Sequence, residues 1–244
     1  MMKELIHMNI ALLTAAGAGT RMGQDIPKQF LTVNERPVIV YTMEAFQYHP
    51  EIDEIIVVCL EGWENILRAY ANQFNITKLA RIVRGGASGQ ESIYNGILAL
   101  SKDHEGEDLV LVHDGNRPFL PSKMITDCIA TAKRYGCSVA AVPCQEAMAL
   151  TEDGVVSAGN IARENLKRTQ TPHGFRLGKL QELHRQAGEK GIENTTATCT
   201  LMMELGEPVY FYEGSEKNIK LTTLDDMDIF KALLMAKRAD WLKG

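Results

Sequence analysis

Short apolar runs rich in β-branched residues alternate with longer amphipathic stretches through the first half of the chain. In order they read "NIALLTA", "PVIVYTMEAFQYH", "DEIIVVCL", "ENILRAYANQF", "LARIVRG", "QESIYNGILALSK" and "EDLVLVHD". This is the rhythm of a βα repeat. Continuous runs such as "IIVVC" and "LVLVH" suit parallel strands covered on both faces, which predicts an open sheet between helical layers. Ligands of such sheets bind at the carboxyl ends of the strands.

The rhythm breaks after "CSVAAVPC". "QEAMALTEDGVVSAG" reads as two short strands about the Asp153-Gly154 turn, so a β-arm is expected at about 145–160. A hairpin protruding from an α/β core pairs with another subunit or folds back as a local flap, and the sequence leaves both readings open. Beyond it come a helix in "GKLQELHRQAGEK" with Gly188 as a stop, a Thr-rich patch, a strand "PVYFY" and a final helix. Thr223 and Asp226 have the spacing of a capping box for that last helix. No repeat or linker divides the 244 residues, and one domain over 1–244 is the reading.

The formal charge of -5 argues against a general nucleic-acid surface, so an anionic ligand has to be met by individually placed Lys and Arg. No stretch is long enough to cross a bilayer. The five cysteines form no CxxC pair and fit reduced core thiols in a cytoplasmic protein, while the six histidines lack zinc spacing. "NIALLTAAGAG" imitates a signal-peptide apolar region, but its glycines run on into Arg21 and Lys28, and a first strand is the better reading.

The loop after that strand, "LTAAGAGTRMGQDIPKQF", is the chemical centre of the sequence. Gly17, Gly19 and Gly23 are spaced GxGxxxG, unlike a dinucleotide loop, and Pro27 intervenes before any helix. A Walker A loop would need Lys-Ser/Thr after Gly23. What remains is a backbone that can approach a phosphate chain closely, with Arg21 as a planar fork and Lys28 as a mobile point charge.

At these residues the chain resembles the IspD-like cytidylyltransferases, the family of the 2-C-methyl-D-erythritol 4-phosphate and ribitol 5-phosphate enzymes. "AAGAGTRMGQDIPKQFL", "GGASGQESIYNGI", "VHDGNRPF", "TQTPHGF" and "NIKLTTLDDM" follow in family order over nearly the whole length. The resemblance implies a Rossmann-like nucleotidyltransferase fold with a dimerising β-arm. It implies transfer of CMP from CTP to a polyol phosphate with release of pyrophosphate, in a cytoplasmic homodimer using Mg²⁺ or another divalent cation. Arg21, Lys28 and Lys220 would be the catalytic cations. Ala15, Ala16, Gly17, Gly19, Gly85, Gly86, Ser92 and Asp114 would hold the nucleotide, with Asp114 a candidate metal ligand as well. Arg117, Arg163, Thr171 and Thr196 would hold the acceptor, and Lys220 helps to aim its phosphate.

Taken alone, Ser92 reads as a helix-start residue, Asp114 as a turn aspartate, Lys220 as a surface residue of an edge strand and His113 as a core histidine. The chain departs from the family where it carries Gly89 for an arginine, Ala197 for the aspartate of a Thr-Asp pair, and Gly115 and Asn116 after Asp114. These departures cluster on substrate contacts and point to altered acceptor choice, with ribitol 5-phosphate or another capsule-type polyol or sugar phosphate a rival to methylerythritol phosphate. A nicotinamide oxidoreductase and a catalytically silent nucleotide-binding paralogue are the competing classes.

Overall fold

The computed structural model describes residues 7–17 and 26–238. Seven strands form one sheet in the order β11 (Phe211–Glu213), β7 (Cys137–Pro143), β10 (Lys167–Arg176), β6 (Leu109–Asp114), β1 (Asn9–Ala15), β4 (Glu54–Cys59) and β5 (Leu79–Arg84). Its centre consists of β1 (Asn9–Ala15), β4 (Glu54–Cys59) and β6 (Leu109–Asp114), all parallel. Nearly every residue of these strands is buried, which is why each reads as an unbroken apolar run instead of an alternating one. β5 (Leu79–Arg84) is the edge strand beside β4. There the burial is only partial, and Arg81 leaves the sheet to bond Ala99 O and Asp103.

The helices α1 (Val38–Gln47), α2 (Glu64–Gln73), α3 (Gly89–Leu100) and α4 (Ser122–Tyr135) lie between consecutive strands of the repeat, as the sequence rhythm predicts. One layer packs Phe46, Ile39 and Met43 of α1 with Ile125 and Ile129 of α4 against one sheet face. The other packs Ile97 and Leu100 of α3 with Leu180 and Leu183 of α5 (Leu177–Lys190). A two-stranded ribbon, β2 (Thr32–Val33) with β3 (Arg36–Pro37), precedes α1.

The second half holds the topological departure. β7 (Cys137–Pro143) does not sit beside β6, because β10 (Lys167–Arg176) is inserted between them, antiparallel to both. The pairing of β10 with β7 shifts register between Gln170 and His173, a local irregularity where the strand crosses the rim of the sheet. Between β7 and β10 the chain leaves the sheet as the arm: β8 (Met148–Thr151) and β9 (Ser157–Ile161) pair only with each other. Its turn is at Gly154, with φ of 76°, and the Asp153 carboxylate accepts from the N–H groups of Val155 and Val156.

Three expectations are corrected. α5 continues through Gly188 and ends at Gly191, whose φ of 64° is the left-handed conformation that stops a helix. "PVYFY" contributes only the short β11 (Phe211–Glu213), since the residues before it do not pair as strand. Lys220 lies on no strand at all, because the segment that carries it is irregular. The final helix α7 (Leu224–Arg238) begins as read: Thr223 Oγ1 accepts from Asp226 N while Asp226 Oδ2 accepts from Thr223 N. Thr198–Glu204 forms the remaining helix, α6. All five cysteines are free and buried. Among the described residues no helix is long and apolar enough to cross a membrane.

Candidate active site

A cleft of about 700 Å³ opens at the carboxyl ends of β1 and β6. One wall begins where β1 ends. Ala15, Ala16 and Gly17 line it, and the buried Gln29 holds them in place: its Nε2 donates to Ala15 O at 2.7 Å and to Gly17 O at 3.0 Å. Gln29 belongs to a single 3-10 turn, Lys28–Phe30, anchored by Phe30 stacking on Trp63 with ring centroids 4.5 Å apart. The turn presents Lys28 to the cleft. Gly19 and Arg21 lie outside the described residues.

The glycine segment that leads into α3 forms the next part of the wall. Gly85 has to be glycine, because a Cβ there would meet the Cβ of Ala16 at 2.3 Å. It faces a smaller adjoining recess, whereas Gly86 lines both. The first turn of α3 braces this segment. Ser88, not Ser92, caps the helix by accepting from Glu91 N, and Glu91 Oε2 accepts in return from Ala87 N at 2.6 Å. Ser92 lines the cleft, yet its hydroxyl donates to Ser88 O at 2.8 Å and accepts from Gly86 N at 3.1 Å.

Opposite stands a charged triad. Asp114 Oδ2 accepts from Arg117 Nε at 2.9 Å, and Oδ1 accepts from Lys220 Nζ at 3.0 Å. Burial by itself would raise the Asp114 pKa, but the Lys220 and Arg117 charges outweigh it and hold the carboxyl well below the usual range. The aspartate is therefore ionised at any working pH, and the triad carries net charge +1. Asparagines fasten the two segments that supply it. Asn116 Nδ2 donates to Leu221 O at 2.5 Å, Leu221 N returns a bond to Asn116 O at 2.9 Å, and Arg117 Nη1 donates to Asn218 O at 2.7 Å. Asn218 Nδ2 in turn reaches Thr171 O at 2.8 Å, and Thr171 Oγ1 accepts from Asp114 N at 3.0 Å. Thus Asp114, Arg117, Thr171 and Lys220 lie together at this corner, with Lys220 partnered and half-exposed. Two neutral histidines floor this corner. Burial pushes His113 and His173 down to about 4, and His113 Nε2 donates to Arg117 O at 3.1 Å.

The lining is also rich in hydroxyls, from Thr169 and Thr171 on β10 and from Thr195, Thr196, Thr198 and Thr200 at and before α6. Ala197 sits among them and contributes no carboxylate. Arg163 is placed elsewhere. It lies on the short turn Arg163–Asn165 at the foot of the arm, where its Nη1 donates to Gln145 O at 3.2 Å, and it does not line the cleft of its own chain. The arm's return to β10 carries it away from the sheet rim.

The residues present fit a protein-held metal ion poorly. Among the described residues no three His, Cys, Asp or Glu side chains come together, and both oxygens of Asp114 are already taken by cations. Sequence reasoning missed Gln29, Gln90, Asn116 and Asn218, which bond backbone rather than ligand. For Asn116 the available signal is a polar side chain two residues past a strand-end aspartate.

A family model described as 2-C-methyl-D-erythritol 4-phosphate cytidylyltransferase matches residues 9–236. The chain is 39% identical over 232 residues to a ribitol-5-phosphate cytidylyltransferase of Lacticaseibacillus paracasei, covering 94% of this chain and 99% of that one. It is 37% identical over 231 residues to a 2-C-methyl-D-erythritol 4-phosphate cytidylyltransferase of Clostridium novyi, covering 93% and 96%. A crystal structure of the Thermus thermophilus 2-C-methyl-D-erythritol 4-phosphate cytidylyltransferase superposes with a TM-score of 0.74 at 28% identity, covering 93% of this chain and 98% of that one.

Proposed function

The chain belongs to the 2-C-methyl-D-erythritol 4-phosphate cytidylyltransferase family and is a CTP-dependent nucleotidyltransferase, and from that premise we propose that its acceptor is ribitol 5-phosphate. The observation that carries this choice is the 39% identity to the ribitol-5-phosphate enzyme of L. paracasei, which extends over nearly all of both chains. The threonines that line the cleft support it, since their hydroxyls can each donate to and accept from a polyol, while Ala197 leaves no carboxylate to select one hydroxyl strongly. Methylerythritol phosphate is the second reading, favoured by the family model and by the Clostridium relative.

An oxygen of the acceptor phosphate attacks the α-phosphorus of CTP, the new P–O bond forms as the bond to the β-phosphate bridge breaks, and pyrophosphate leaves. The nucleophile is already ionised, so no general base is needed, and the task is to align two anions and stabilise the charge growing on the phosphate oxygens. Lys28, from the cleft wall, and Arg21 take the triphosphate. Lys220 and Arg117 take the acceptor phosphate, with Asp114 as the counter-ion between them. A divalent cation, where one takes part, would not be held by Asp114, whose two oxygens are already engaged by Lys220 and Arg117.

Two chains act together in this reading. The arm exposes Leu150, Val155 and Val156 to solvent, an apolar surface that suits a second copy, and Arg163 at its foot is then available to the partner's cleft. Free buried thiols suit the reducing cytoplasm. The test is a pyrophosphate-release screen of four nucleoside triphosphates against ribitol, methylerythritol and glycerol phosphates. CTP with ribitol 5-phosphate should give the highest kcat/KM. Preference for methylerythritol phosphate would move the acceptor to the second reading, and CTP binding without pyrophosphate release would mark a silent paralogue.

A further inference from the structure

The first turn of α3 is pinned on two sides. Ser88, Glu91 and Ser92 hold the glycine segment that leads into it, bonding Glu91 N, Ala87 N and Gly86 N respectively. Gln90, between them in sequence, points another way because successive side chains of a helix are splayed about 100° apart. It reaches the loop that joins α5 to α6. Its Nε2 donates to Ile192 O at 2.8 Å, and its Oε1 accepts from both Thr195 N and Thr195 Oγ1 at 3.0 Å.

That loop needs holding. It begins at Gly191 with φ of 64° and passes through Asn194 with φ of 59°, so its backbone is neither helix nor strand. Among the described residues, the cross-links from residues 192–195 to the opposite wall are these Gln90 bonds; Thr196 Oγ1 bonds only Thr200, within the same segment. Gln90, Thr195 and Thr196 all line the cleft. One carboxamide thus uses its donor and acceptor ends together to fix the spacing between the wall assigned to CTP and the threonines assigned to the acceptor.

We propose that Gln90 is a positioning residue for the acceptor, setting the height of the Ile192–Thr196 loop against the nucleotide wall so that Thr196 stands at its working distance. It acts through the loop and touches none of the reacting atoms. The inference rests on the acceptor reading given above. A displacement of about 1 Å in a group that orients a substrate costs on the order of 10² in rate, which sets the scale of the effect.

The experiment compares wild type, Gln90→Met and Gln90→Glu. Methionine keeps length and apolar stem but removes all three hydrogen bonds, whereas glutamate keeps the acceptor for Thr195 and loses the donor to Ile192 O. For Gln90→Met, kcat/KM for ribitol 5-phosphate should fall by about 10- to 100-fold. The KM for CTP should stay within about threefold, because the bonds of Ser88, Glu91 and Ser92 remain. Gln90→Glu is read for the Thr195 bonds alone, because its carboxylate faces Ile192 O and adds negative charge to an anion-binding cleft. Hydrogen exchange supplies a readout independent of turnover: the Thr195 amide should lose protection in Gln90→Met and keep it in Gln90→Glu. Acceptor kcat/KM within threefold of wild type, an equal rise in the CTP KM, or a Thr195 amide as protected in Gln90→Met as in wild type would each overturn the proposal. A wild-type protein that turns over no polyol phosphate would remove the acceptor reading and this inference with it, whereas active wild type beside an unimpaired Gln90→Met removes this inference alone.

Discussion

Replacing Asp114 by asparagine keeps the shape of the triad and deletes the charge between its two cations. The net charge of the corner rises from +1 to +2, with Arg117 and Lys220 facing a neutral amide across contacts that are 2.9 and 3.0 Å in the native protein. Removing one partner of a buried ion pair costs about 3–5 kcal/mol. Asp114 and Arg117 come near that limit, with side chains 17% and 12% exposed, but Lys220 is 41% exposed and water screens its share. The expected loss is therefore about 2–4 kcal/mol, or about 1 M in the urea midpoint for a slope of about 3 kcal/mol/M. The sign with pH follows from the lowered pKa: the stabilisation is complete above the unfolded carboxyl value of 3.8 and is lost as pH falls below it towards the folded value. The difference between wild type and variant should accordingly begin to shrink below about pH 4 and go on shrinking as pH falls further. The same substitution should strengthen anion binding, so inorganic phosphate should raise the Tm of Asp114→Asn by more than that of wild type. Urea titrations at pH 7 and thermal melts with graded phosphate measure both. An unchanged midpoint, or a smaller phosphate effect in the variant, would refute the role of Asp114 as resident counter-ion.

Lys28→Ala should lower turnover by about 10²- to 10³-fold while leaving the urea midpoint within about 0.5 M, and a loss below about tenfold in steady-state assays would remove Lys28 from transition-state stabilisation. His113 and His173, pushed by burial from 6.5 to about 4, should make the protein acid-sensitive well before its carboxylates titrate. Their stabilisation is present above pH 6.5 and drains away as pH falls towards 4, by up to about 3 kcal/mol each, so a flat urea midpoint between pH 7 and pH 4.5 would contradict their neutral burial. Gly85→Ala should destabilise by about 1–3 kcal/mol and weaken CTP binding at least tenfold, because its Cβ is driven into Ala16 and Cys59 O. A Cβ added at Gly89 meets nothing within 4 Å, so Gly89→Arg should fold with stability within about 0.5 kcal/mol of wild type while lowering the Kd for CTP. Calorimetric titration with CTP distinguishes the two glycines.

The central strands were legible because burial on both faces writes itself as contiguous apolar residues, and the start of α7 was legible because a capping box is a purely local exchange of hydrogen bonds. β10 was not. "KRTQTPHGFR" contains proline and glycine and has no apolar run, yet its pairing with β6 and β7 makes it an inner strand. Its tertiary partners override local propensity. Gly188 and Gly191 are indistinguishable as helix stops in sequence; only the second takes the left-handed backbone. In the site, Lys28 stood out beside the glycine-rich loop from its own sequence, whereas Asp114 and Arg117 were marked only by the family resemblance, since a turn aspartate or a lone arginine looks the same in any chain. The side chains that fasten them carried neither mark. Gln29, Gln90, Asn116 and Asn218 bond main-chain groups from 12 to 105 residues away, and nothing in local pattern encodes such a separation.

The insertion of β10 beside β7 has a further consequence. Pro143 pairs with Lys167 and Cys144 N bonds Leu166 O, so the chain departs from and returns to the body at one narrow neck. Everything distal to that neck is an appendage whose length can grow or shrink without moving any strand of the sheet. Natural variation and laboratory grafting can therefore both reshape this limb, with the catalytic body serving as an unchanged socket.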